Sequence, residues 1–119
     1  MPPTDPNSQA LMNLPDDEIL ALLGADLVGP QALPLRTAEL TERGRRWFAA
    51  QRDYLEGEIC SNEAIKRFVS ETTDNSAIAE ELAKLLFDLV LPVNPVPLAV
   101  LVARRGIKTF CSTRWSQNV

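Results

Sequence analysis

At 119 residues, with 45% hydrophobic and 24% charged residues, the chain is expected to fold as one domain around one core. A net charge of −4 and a pI near 4.8 exclude a general nucleic-acid binder, which needs a dominant basic surface to displace counterions. Histidine is absent, which excludes Ser–His and Cys–His nucleophile activation and leaves a zinc site only Cys60, Cys111 and carboxylates to draw on.

Residues 1–13 read as a flexible N-terminal arm. Pro2, Pro3 and Pro6 alternate there with Asp5, Asn7 and Ser8, too little apolar area to order the segment. The stretch has neither a basic nor an apolar block of a secretory signal, so a cytoplasmic location with both thiols reduced is expected.

A first helix is expected from Pro15. Asp16, Asp17 and Glu18 suit the positive end of its dipole, and Ile19, Leu20, Leu22 and Leu23 supply the apolar face. Gly24 or Gly29 ends it. The longest helix runs from Thr37, a candidate N-cap, to about Cys60, with Phe48, Leu55 and Ile59 on one face beside Leu40 and Trp47. Gly44 and Gly57 weaken it. Ser61 is a candidate cap for a third helix carrying Ile65, Phe68 and Val69.

A fourth helix is predicted over about 76–91, with stripes Ile78, Leu82, Leu85, Leu89 and Ala79, Ala83, Leu86, Val90. Pro92 ends it. Asn94 caps a fifth, which starts on Pro95 and extends to about Cys111 unless Gly106 stops it. The fold expected is all-α, a bundle-like array of about five helices spanning 14–115. Its centre is an antiparallel hairpin of about 76–91 and 95–111, with Trp47, Phe48, Leu55 and Ile59 packed on it. Residues 116–119 form a tail.

Charge is divided along the chain. Every acidic residue lies at or before Asp88, whereas the remainder carries Arg104, Arg105, Lys108 and Arg114 and no acid. This basic end, with Trp115 as an anchor, is the expected partner-binding region, because arginine and aromatic residues carry most interface energy. The same cations complement a helix C-terminus or neutralise the acidic first helix.

Other candidates reduce to structural roles. Arg43, Arg45, Arg46 and Arg52 share a helix with Glu39, Glu42, Asp53, Glu56 and Glu58, which points to intrahelical ion pairs rather than base stacking. A helix-turn-helix reading of residues 61–91 fails because its recognition helix is too apolar and has only Lys84 as a base. Adjacent carboxylates, Asp16 to Glu18 and Glu80–Glu81, do not face one another on a helix. Cys60 and Cys111 are read as buried structural cysteines, joined only if two helix ends meet.

No catalytic residues, metal ligands or cofactor are expected. The function expected is a non-enzymatic protein–protein interaction or accessory module, acting on a protein partner or by self-association. The alternative is a membrane-associating helical protein that uses the apolar hairpin 77–103.

Overall fold

The computed structural model describes residues 11–29, 36–72 and 74–116, and all their regular elements are helices. The first ten residues of the expected arm and the last three of the tail lie outside the described residues.

Helix α1 spans Asp16–Val28. Pro15 is its extended N-cap, and three acids occupy the first turn as its dipole favours. It ends at Gly29, whose φ of 75° suits glycine. The expected arm is shortened from its inner end: Leu11 is buried in the core, and the Leu14 amide donates to its carbonyl at 3.0 Å.

Helix α2 spans Thr37–Cys60 and turns Thr41, Gly44, Phe48, Leu55 and Ile59 inward at helical spacing. Arg36, not Thr37, is its N-cap, and it makes no side-chain cap hydrogen bond. The Thr41 hydroxyl instead donates to the Asp17 carbonyl at 2.9 Å, joining α2 to α1.

Helix α1 runs antiparallel to α2 with backbone nearly on backbone. A Cβ placed on Gly24 would lie 1.9 Å from the Leu40 carbonyl oxygen, and one on Gly44 would lie 2.0 Å from that of Leu20. Gly24 therefore stands inside α1 rather than ending it. The close crossing also places α1 between α2 and the apolar hairpin, so α2 does not pack mainly on that hairpin as expected. Phe48 still reaches the C-terminal segment, its ring 6.5 Å from that of Phe110.

Helix α3 spans Glu63–Glu71, capped by Asn62, whose side chain accepts from the Ile65 amide at 3.0 Å. Ser61 instead returns its hydroxyl to the Gly57 carbonyl. Helix α4 spans Asn75–Asp88 and is capped by Asp74, which accepts from the Ser76 amide at 3.0 Å. It stops three residues short of the expected end. Leu89 is already extended at ψ 138°, and Pro92 has no N–H to donate to the Asp88 carbonyl four residues back, so the helix is not continued.

Helix α5 spans Pro95–Arg105, and its seven residues Pro97 to Ala103 are all buried. A helix apolar on every side belongs at the centre of a core, and α5 lies between α1 and α4. The Asn94 side chain caps it through the Val96 amide at 3.0 Å, while the Asn94 amide donates to Asp26 of α1 at 2.8 Å.

Gly106, at φ 93°, ends α5. Helix α6, Ile107–Phe110, and helix α7, Ser112–Ser116, follow. The long fifth helix expected to Cys111 is thus two helices, because the backbone reverses at the one residue that tolerates positive φ there.

The segment after Gly106 returns to the end of α2, where Cys60 and Cys111 are joined in a disulfide with their Cα atoms 5.5 Å apart. Both cysteines are buried. The expectation of reduced thiols is corrected here. Two helix ends with similar sequences, Ile59-Cys60-Ser61 and Phe110-Cys111-Ser112, meet in space.

Candidate functional site

Three of the four cations of the acid-free segment pair with acids of other helices. The Arg104 guanidinium donates to the Leu14 carbonyl and lies 3.5 Å from the Asp16 carboxylate, with only 27% of its side chain exposed. Arg105 reaches the other Asp16 oxygen at 4.0 Å and lies over the Phe48 ring at 5.2 Å. Arg114 pairs with Glu56 at 3.7 Å, and Arg52 meets the same carboxylate at 3.0 Å.

Trp115 is also engaged within the chain. Its indole N–H donates to the Cys60 carbonyl at 2.9 Å, and the Lys66 ammonium stands 5.9 Å from its ring centre. Arg105, Phe48, Phe110 and Arg52 form a continuous stack, because Arg52 lies 5.0 Å over the Phe110 ring. The charge split of the sequence is closed by the fold, with α1 and α2 supplying the missing acids. Arg45 and Arg46 pair with Glu42 along α2, as their spacing predicts.

Lys108 differs from the other cations. It is exposed and has no ion pair among the described residues. It stands at the rim of an open hollow of about 200 Å³ floored by Val69, Ile78 and Ile107.

Truncation should separate these roles. Arg104→Ala is expected to lower stability by about 2 kcal/mol, the usual loss for a part-buried, charge-assisted hydrogen bond. Lys108→Ala is expected to change it by less than about 0.5 kcal/mol. Urea denaturation of both variants checks this, and equal losses would contradict the assignment.

The apolar hairpin is core. Leu86, Leu98 and Leu101 are fully buried, and each such side chain contributes about 1.5–3 kcal/mol. None of the helices among the described residues is long and apolar enough to cross a membrane.

What the hairpin leaves outside is its tip. Phe87 is 77% exposed and Val90 fully exposed. Phe87 itself, with Ala83, Lys84, Asp88, Pro95 and Val96, lines a shallow open cleft of about 460 Å³ between the end of α4 and the first turn of α5. Sequence reasoning missed Phe87. Its signal was an aromatic residue outside both apolar stripes of α4, flanked at i−3 and i+1 by charges. Val90 was assigned to a stripe, but α4 ends before it.

Among the described residues, no three Cys, Asp or Glu side chains are grouped to hold a metal ion, and every buried side-chain nitrogen and oxygen has a hydrogen-bond partner. Fold and surface together define an all-α, disulfide-clipped helical domain with an apolar hairpin tip. No protein-family model, curated protein or solved structure matches the chain.

Proposed function

We propose that the chain is a non-enzymatic interaction module, an adaptor or accessory subunit, whose contact surface is the α4–α5 tip. The exposure of Phe87 beside a closed core carries this reading. A phenylalanine in water on the wall of an apolar cleft gains free energy only when something covers it. Of the basic end, Lys108 has no ion pair among the described residues, whereas Arg104, Arg105 and Arg114 pair with Asp16 and Glu56 and Trp115 bonds to Cys60.

The buried disulfide favours an oxidising compartment over the cytoplasm, where thiols are kept reduced. The tip suits a protein better than an anionic membrane, because Asp88 stands beside Phe87 and the neighbouring Asp26 holds the loop.

A photo-reactive benzoylphenylalanine replacing Phe87 is expected to form protein adducts in extracts of the source cells. The same group replacing Tyr54, which is exposed on α2, should form none. Anionic vesicles at low salt should not float the chain. Flotation that Phe87→Ser abolishes would transfer the surface to the membrane reading, and identical adduct patterns at 87 and 54 would remove the tip from the proposal.

A further inference from the structure

The hollow beside Lys108 lies at the other end of the α4–α5 hairpin from the tip, and its lining is that of a small-molecule site. We propose that it binds a short alkyl carboxylate of about four to six carbons, with the chain on its floor and the carboxylate at Lys108.

Three segments meet at this hollow: the end of α3, the start of α4 and the turn from α5 into α6. Each supplies one floor residue, Val69, Ile78 and Ile107, and all three are buried. The rim is polar, formed by Thr72, Asn75, Lys108 and Thr109. After the turn at Gly106, Ile107 is buried while Lys108 and Thr109 stand in water. An apolar floor under a few convergent polar groups is the usual make-up of a ligand site.

The charges point to an anion. No acid lines the hollow among the described residues. Glu71 and Asp74 are the acids nearest along the chain, and neither is part of the lining. The Asp74 carboxylate already accepts from the Ser76 amide at 3.0 Å. Arg104, Arg105 and Arg114 have acids for partners, whereas Lys108 has none among the described residues.

A carboxylate on an alkyl chain satisfies both halves of the hollow. One cation meets one negative charge, and the Thr72 and Thr109 hydroxyls and the Asn75 amide are further donors. A phosphate monoester carries about −1.5 to −2 at neutral pH and would leave charge unmatched. A ligand of about eight heavy atoms held partly by an exposed ion pair binds weakly, with a dissociation constant of about 1 mM.

Methyl NMR of the oxidised full chain, titrated with hexanoate and separately with hexanol, tests this. Hexanoate is expected to shift the methyl signals of Val69, Ile78 and Ile107 saturably. It should bind about fivefold tighter than hexanol, the gain an exposed ion pair supplies. Lys108→Gln keeps the stem and removes the charge, so it should abolish that preference and leave hexanol binding unchanged. Lys108→Arg should keep it. The position is exposed, so both variants should retain the fold.

Val96 at the tip is the internal reference, because the one cation of its cleft, Lys84, is paired with Glu81. Hexanoate shifts as large at Val96 as at the three floor residues overturn the proposal. So does hexanol binding as tightly as hexanoate, or a preference that survives Lys108→Gln. The tip is judged separately, by the adducts at Phe87.

Discussion

Gly44→Ala is expected to destabilise the domain by about 3 kcal/mol, although alanine is the better helix former by about 1 kcal/mol. The new methyl would meet the Leu20 carbonyl oxygen at 2.0 Å, where no side chain can rotate aside. Relief requires α1 and α2 to move apart, which loosens Leu20, Leu23 and Phe48 and stretches the Thr41–Asp17 hydrogen bond. Overpacking of this kind typically costs 1–3 kcal/mol and more when the backbone itself must shift. Gly24→Ala meets the Leu40 carbonyl and should lose a similar amount. The two losses should not add, because one separation of the helices relieves both.

Gly57→Ala supplies the opposite sign. It lies in the same helix as Gly44, and its added Cβ would find only the Arg114 side chain at 3.7 Å. Here the propensity gain is unopposed, and the variant should be more stable by up to about 1 kcal/mol. Urea denaturation of the three variants tests the crossing directly. If Gly44→Ala were as stable as Gly57→Ala, the two helices could not be in backbone contact.

Removing the disulfide by Cys60→Ala with Cys111→Ala is expected to lower stability by about 4 kcal/mol. The bond spans a sequence separation of 51 residues, and the chain-entropy relation for a loop of that length gives a value of this size at 25 °C. It joins the end of α2 to the segment carrying Phe110 and Trp115, so loosening it also weakens the Trp115–Cys60 hydrogen bond. For a domain of this length the melting temperature should fall by about 15 °C.

Calorimetry of the oxidised chain and the double alanine variant is the direct comparison. A difference below about 1 kcal/mol would show that the rest of the fold already confines the α6–α7 segment. Both sulfurs are buried, so reduction of the native chain should be slow and should accelerate in urea, because the reductant needs access to the bond.

Much of the helical order was legible because its signals are local. Apolar spacing placed α2 at Thr37–Cys60 and α4 within one residue at its start and three at its end. Asn94 and Pro95 marked the start of α5. The caps were less legible: Asn62 serves where Ser61 was expected, and Asp74 caps α4. Gly24 and Gly29 offered the same stop signal in sequence, and only one of them adopts positive φ.

The candidate surface was less legible than the fold. A basic end drew attention because it lacked acids nearby in the chain, yet distance along a chain says little about distance in space. Phe87 was overlooked because one apolar residue in an apolar hairpin carries little signal until the neighbouring stripes are known to face inward.

By itself the sequence determined that this chain is helical and that its charges are unevenly distributed, since both follow from composition and periodicity. Only the tertiary structure decided that Asp16 and Glu56 receive the arginines of the acid-free segment, that Cys60 meets Cys111, that two glycines let α1 lie against α2, and that Phe87 is left in water. These outcomes join residues far apart in the chain, so they depend on how whole helices pack rather than on any local pattern.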